Sequence, residues 1–445
     1  MMIQYVYTTF TSYDEIVKDL EDKLKLDFEP EFFFLFLTES TLGIHDKILR
    51  YLKEKFPYCK MAGCIVEGYV TKEGIWTRGL ALLFFEKDVD VFWAKGKKVE
   101  ETFTKLNYGM KDFSSAIVIF PLFRFSGRLD MIDFILRNNT IWRYRYWRAK
   151  DLESKLDVLE SYSKYLEEKY IFPANKVLSF FDGEKPVIGL NLLPLEAGFG
   201  TPIILVNYES LGRSAVSISF KFKSLAHFHD VFPERGKSFE ETFEIVKNYL
   251  PNAKRVRVVK KGIAIGEVEG RSAVDFLKSE RLIQPYNEKE TVKMLEEEKF
   301  RTVSPYGLAF ISEITYGSSL LGLLPYPLSL YSSIFDLDKF YDEALFVGEY
   351  FKGGIRSFEG LFEMKKYSDL FDFFIIDANV IPMFGGRCFE IKKMADNYCQ
   401  DYFGIFSICP SFRKKYLERN YLSEIENGLC FNGTGTSVIV EIKIP

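Results

Sequence analysis

The sequence predicts a two-lobed α+β (mixed α/β) protein: mixed sheets flanked by helices, with an N-terminal lobe built from two related strand–helix units. A strand–loop–helix pattern occurs at 31–56 and again at 115–137. The apolar runs are short and bounded by Gly, Pro and Asp, as strands and turns require. At 445 residues the chain is long enough for two domains or one bilobal body, with a core that needs neither disulfide nor metal for stability.

In the first unit Phe32, Phe33, Phe34, Leu35, Phe36 and Leu37 form an unbroken apolar run, the pattern of a strand covered on both faces. Thr38, Glu39, Ser40 and Thr41 end it. Ile44, Ile48, Leu49, Leu52 and Phe56 then recur at helical spacing opposite Lys47, Arg50 and Lys53, and Pro57 stops the helix. The second unit runs from Ala116 to Phe120, through a loop at 121–127, to Leu129, Ile132, Ile135 and Leu136 on a helix. Such crossovers favour parallel neighbouring strands. Further strands are expected at 59–68, 80–85, 176–181, 187–193, 203–208 and 215–222, with a hairpin at 70–78 and a helix at 151–169. Beyond these come a helix at 239–250 and a strand–Gly turn–strand from Arg255. A helix N-capped by Ser272 follows, because a serine hydroxyl can accept a first-turn N–H. Helices at 288–299 and 412–426, and strands at 355–363, 373–376, 388–391, 402–409 and 437–444, complete the pattern.

The 59 basic and 63 acidic side chains are well mixed and leave a net charge of −4, which argues against a nucleic-acid or anionic-membrane surface for the chain as a whole. The basic run Trp142, Arg143, Tyr144, Arg145, Tyr146, Trp147, Arg148 could stack on bases. The favoured reading is an edge strand or solvated helix entry, its guanidinium stems lying over aromatic faces. No apolar stretch approaches the roughly 20 residues of a membrane span. Six cysteines (Cys59, Cys64, Cys388, Cys399, Cys409 and Cys430) and the absence of a leader before Tyr7 lead us to expect free thiols in the cytoplasm. Heavy use of Phe and Tyr, with Gln only at 4, 284 and 400, suits a hot-environment prokaryote.

These residues together resemble the FIST family of sensory domains. The resemblance spans most of the chain. It rests on the Phe32–Leu37 strand and its helix, on Ala62-Gly63-Cys64 followed by Gly68, and on the second unit at 116–136. The hairpin at 258–273, the strand 405–409 closing in Ser407-Ile408-Cys409 with Arg413 nearby, and Phe431-Asn432-Gly433-Thr434 before the last strand add to it. It implies a FIST-N-like α/β domain with internal duplication over 1–272 and a FIST-C-like α+β domain over 273–445. It also implies a cytoplasmic, non-catalytic module that binds an amino-acid-like or small carboxylate ligand between the lobes and signals through a separate protein partner. The expected pocket residues are Gly63, Cys64, Arg356, Cys409, Arg413, Asn432 and Thr434, with no cofactor. Where relatives carry small hydroxyl residues this chain has Ile65, Val66 and Glu67, so a scaffold with a degenerate pocket is a second reading.

Local chemistry leaves alternatives open. Cys64 after Gly63 reads as a pocket residue or as a small buried hydrophobe. Cys409 with Arg413 could be a guanidinium-stabilised thiolate, the basis of a third reading as a cysteine-dependent enzyme. Arg356 could hold an acidic ligand bidentately or pair within the chain. The flexible turn at 432–436 could cradle a carboxylate or amide. His227 and His229 share a strand face as metal ligands might, without an identifiable third ligand. Gly262, Gly266 and Gly270 belong to a hairpin, since no phosphate-loop Lys-Ser/Thr follows them.

Overall fold

The Phe-rich run forms the centre of a sheet, and the remainder of the chain repeats that arrangement twice. The computed structural model describes residues 1–87, 89–96, 98–125, 128–192, 202–212, 214–230, 236–250, 253–280, 307–313, 318–322, 324–326, 330–332, 337–347, 370–377, 392–393, 395–397, 399–407, 410–413 and 437–444. The first unit comprises β1 (Ile3–Thr8), α1 (Tyr13–Lys23), β2 (Phe32–Leu37), α2 (His45–Lys55), β3 (Lys60–Ile65), the hairpin β4 (Gly68–Val70) and β5 (Ile75–Trp76), and β6 (Leu80–Phe85). The second comprises β7 (Asp90–Lys95), α3 (Val99–Gly109), β8 (Ser115–Pro121), the helices α4 (Arg128–Arg137), α5 (Arg143–Arg148), α6 (Leu152–Lys169) and α7 (Ala174–Ser179), then β9 (Val187–Leu192), the hairpin β10 (Ile204–Val206) and β11 (Glu209–Leu211), and β12 (Ser214–Phe220).

The third unit opens with β13 (Leu225–Asp230). A module at 239–347 follows, with α8 (Phe239–Tyr249), β14 (Lys254–Lys261), β15 (Ala264–Val268), β16 (Arg271–Ser272), α9 (Ala273–Ser279), β17 (Gly307–Ser312), β18 (Ser318–Gly322), β19 (Leu324–Tyr326), β20 (Leu330–Ser332) and β21 (Phe340–Val347) in a sheet of its own. The unit then resumes with β22 (Phe371–Asp377), β23 (Asp401–Ser407), β24 (Pro410–Arg413) and β25 (Ser437–Ile444).

The three units build three sheets with one pairing pattern. Their orders are β1-β6-β2-β3-β10-β11, β7-β12-β8-β9-β24 and β13-β25-β22-β23-β4-β5. In each, the edge, return and centre strands pair antiparallel and the centre strand runs parallel to the strand after its crossover, as the sequence predicts for the first two. The next strand is always borrowed. β10 of the second unit completes the first sheet, β24 of the third completes the second, and β4 of the first completes the third. The exchange is cyclic, so each unit fills the open edge left by another.

A glycine marks the same point of each crossover strand. Gly63 lies between Leu35 and Leu205, Gly189 between Val118 and Ser411, and Gly404 between Phe374 and Val70. A β-carbon would meet the Leu35 carbonyl at Gly63, the Ser411 hydroxyl at Gly189 and the Val70 side chain at Gly404. Glycine is thus required where the neighbouring strands approach closely.

The inner faces of all three sheets bury one another in a single core that includes Phe34, Phe36, Cys64, Ile117, Ile188, Phe220, Phe373, Ile405 and Ile442. Phe36 packs on Phe373 and Phe403 at centroid distances of 5.9 and 5.8 Å, joining the first sheet to the third, and Phe34 lies 6.3 Å from Phe220 of the second. The outer face of the first sheet, through Phe33, Leu35, Leu82 and Phe84, is covered by Ile16 and Leu20 of α1 and by Ile48, Leu49 and Leu52 of α2. Outer-face residues of the second and third sheets, among them Val118, Phe120, Phe374 and Phe406, join helices α3, α6 and α7 and the inserted module in another core.

Most predicted elements are present, including Ser272 as an N-cap accepting the Asp275 N–H at 3.1 Å. Two differ. The strand expected at 176–181 falls on α7 and the residues just after it, where Ala174, Val177, Leu178 and Phe181 are buried at the i, i+3, i+4, i+7 spacing of a helix behind Pro173. Phe412 and Arg413, expected to open a helix, lie in β24. The elements predicted at 288–299, 355–363 and 388–391 lie outside the described residues. The predicted boundary at 272/273 falls between β16 and α9, and every sheet except the first takes strands from both sides of it.

Phe34, in the first sheet, touches Phe220 of the second and Phe373 of the third, so Phe34→Ala should lower stability by about 3–5 kcal/mol, the usual cost of truncating a buried Phe. Denaturant unfolding of the variant measures this. A cost under about 1 kcal/mol would show that the three inner faces are not one cooperative core.

Candidate functional site

The three predicted pocket residues that are described are distributed over two sheets. Gly63 and Cys64 sit in β3 of the first sheet, and the backbone of Arg413 ends β24 at the edge of the second. Arg356, Cys409, Asn432 and Thr434 lie outside the described residues. Cys64 is fully buried against apolar neighbours, and burial pushes its thiol up to about 12. Its counterparts in the other crossover strands, the residues after Gly189 and Gly404, are Leu190 and Ile405. Cys59, Cys64 and Cys399 are all buried.

The early and late parts of the chain do converge. β4, three residues beyond β3, pairs with Gly404, Ile405 and Phe406, and the Glu67 N–H donates to the Phe406 carbonyl at 2.9 Å. Around this seam the space is filled by rings: Tyr69 lies 6.4 Å from Phe403, and its hydroxyl donates to the carbonyls of Thr8 and Arg78 at 3.0 Å.

A concave site does lie between early and late segments, at the opposite end of the same strands. It is a cleft of about 500 Å³ where the first and third sheets part, lined by residues 1–4, 27–28, 370–371, 400–401 and 444. One register row supplies its far wall, because Phe371 pairs with both Asp401 and Ile444. The near wall is the start of β1, where Ile3 is paired with Phe85. Gln4 is held in place, its amide donating to the Lys25 carbonyl at 3.2 Å and accepting from the Asp27 N–H at 3.4 Å. Phe28, Phe371 and Ile444 are the apolar lining, and Asp27 and Asp401 bring two carboxylates. Lys72 stands 3.5 Å from Asp401 with both side chains about half exposed, which is worth little to stability. Next to the cleft, Tyr5 packs 5.7 Å from Phe403; burial, then the Glu73 carboxylate, raises its phenol far above the usual range and keeps it protonated.

Sequence reading missed Gln4, Asp27, Gln400 and Asp401. Gln4 lies near the start of β1, Asp27 in the loop before β2, and Gln400 just ahead of β23; only Asp401, opening an apolar strand, is marked by its setting. Among the described residues no three His, Cys, Asp or Glu side chains gather as metal ligands, and no helix is long and apolar enough to cross a membrane.

An uncharacterised protein of Archaeoglobus fulgidus is 32% identical to this chain over 380 residues, which is 85% of this chain and 99% of that protein. The profile described as AF0772-like protein C-terminal domain matches residues 240–352, nearly the inserted module. The chain belongs to the AF0772-like protein family. Within this AF0772-like chain the cleft lies apart from the matched segment, in the three-unit body.

Thiol chemistry at Cys64 is testable directly. Iodoacetamide at about pH 8 should leave Cys64 unmodified in the folded chain and modify it fully after unfolding, as mass spectrometry would show. Because an exposed thiol ionises near 9.0 and this one near about 12, the unfolded state loses its proton first. Cys64 should therefore contribute a fall in stability as pH rises above about 9, and none below it.

Proposed function

We propose that this protein is a small-ligand-binding sensory module, akin to FIST domains, that takes an amino-acid-like ligand in the cleft between the first and third sheets and signals through a separate partner. The observation that carries the reading is the cleft itself. Its volume of about 500 Å³ lies within the roughly 300–1,000 Å³ of small-molecule sites. Asp27 and Asp401 would hold the ligand's ammonium group, Gln4 and Gln400 would offer amide donors to its carboxylate, and Phe28, Phe371 and Ile444 would cover its apolar part. Ligand seated against both walls would favour one spacing of the sheets, by no more than its differential affinity for the two arrangements. The cysteine-dependent enzyme is the weaker reading for Cys64, since a thiol pushed up to about 12 supplies no thiolate at neutral pH.

Thermal denaturation with millimolar amino acids, simple amines and simple carboxylates tests the proposal. At about ten times its Kd, a bound amino acid should stabilise the chain by about 1.4 kcal/mol, a shift of about 1–2 °C for a chain of this length. Asp401→Asn should cut that affinity about tenfold or more without unfolding the protein, because the residue is half exposed. A folded wild-type chain that no amino-bearing compound stabilises would sink the proposal.

A further inference from the structure

The helical run 128–148 carries apolar side chains on two faces, and only one of them is covered. Phe134, Asn138, Trp142 and Tyr146, at steps of four, are buried, with the Asn138 amide donating to the buried Tyr162 hydroxyl. Leu129, Ile132, Leu136, Ile141, Tyr144 and Trp147 are exposed, Leu129 at 82% and Trp147 at 75%. The steps between them are three, four, five, three and three residues, and the step of five spans the π-helical turn Asn138–Trp142. A π turn closes on i+5, so it returns Ile141 to the side of Leu136. A plain α-helix would carry Ile141 well around the axis. The π turn thereby keeps the exposed residues in one stripe.

Beyond Asp130 and Asp133 in its first turns, the charge beside the stripe is of one sign. Arg137, Arg143, Arg145, Arg148 and Lys150 are all exposed, and no acidic residue occurs from Phe134 to Lys150 in a chain whose net charge is −4. Arg137 is paired with Asp133 at 2.8 Å, and Asp130, Asp151 and Glu153 lie beyond the stretch. Arg143 lies over Trp147 at 5.5 Å and Arg148 over Tyr144 at 5.2 Å, so these guanidinium groups follow the apolar stripe while keeping their heads in water.

We propose that this face is a membrane-surface anchor that lays the helix into the headgroup region of an anionic bilayer, its apolar stripe entering the acyl boundary and its cations meeting lipid phosphates. An apolar stripe ending in Trp and Tyr with Arg alongside is the composition of an interfacial helix. A second copy whose two-fold axis crossed the cationic end at 143–148 would set these cations against the same cations. The chain-wide charge that argues against such a surface conceals this local balance. The inference is independent of the cleft.

Cosedimentation of the full chain with vesicles tests it. Partitioning should be at least about tenfold stronger on phosphatidylcholine vesicles with about 30 mol% phosphatidylglycerol than on phosphatidylcholine alone, and should fall sharply in about 0.5 M salt. Both Ile141→Asp and Trp147→Ser should abolish partitioning with unfolding temperatures unchanged, since both side chains are exposed. Arg143→Gln with Arg148→Gln should remove the preference for anionic vesicles. Failure of the wild-type chain to sediment with anionic vesicles at low salt would overturn the proposal. So would binding that survives Ile141→Asp, or a dimer seen by ultracentrifugation that Ile141→Asp dissolves while vesicles go unbound.

Discussion

The structure depends on three sheets burying their inner faces against one another. Each inner face is apolar along every second residue of its strands, and the outer face of the first sheet is apolar too, because α1 and α2 cover it. That double demand explains the unbroken Phe32–Leu37 run: alternation would have left one face polar and one layer unfilled. Full burial of a Phe side chain contributes on the order of 1.5–3 kcal/mol. The concentration of fully buried Phe in β2, with β6, β22 and β23 beside it, makes the meeting of the first and third sheets the most heavily apolar part of the fold.

The same packing determines where chemistry can occur. Strand interiors give no room to a ligand: Cys64 is sealed in, and the seam between β4 and β23 is filled by Tyr69 and Phe403. Room opens where strands begin or end and the sheets diverge, as at Ile3, Phe371, Asp401 and Ile444. Polar residues are tolerated there because water reaches them, so the groups able to select a ligand gather at the rim of the core.

Much of the fold was legible in the sequence because β2, β8 and their helices have long apolar runs with clear periods. The duplication was visible; the third copy was not. Its edge and centre strands are separated by the module at 239–347, and its centre strand is bracketed by Asp372 and Asp377. The borrowed strands β4, β10 and β24 are three or four residues long, too short for a period to emerge, and their partners are set by register rather than by neighbouring sequence. Gly63 was noticed as a point where another backbone or a ligand could come close. Only alignment with Gly189 and Gly404 in three dimensions shows the shared steric cause. The cleft residues were invisible for a different reason, since isolated Gln and Asp have no pattern.

Cyclic borrowing has a bearing on how the chain matures during synthesis. When the first unit leaves the ribosome, the seat beside Gly63 stays vacant until 204–206 emerge, and the seat beside Gly189 stays vacant until 410–413 do. Meanwhile β4 waits, unpaired on one side, for a strand some 330 residues behind it. Two raw sheet edges thus persist through most of translation, and sealing them is reserved for the last segments made. A nascent chain of this kind must be shielded, or must close quickly, to escape edge-to-edge association with its neighbours on the same message.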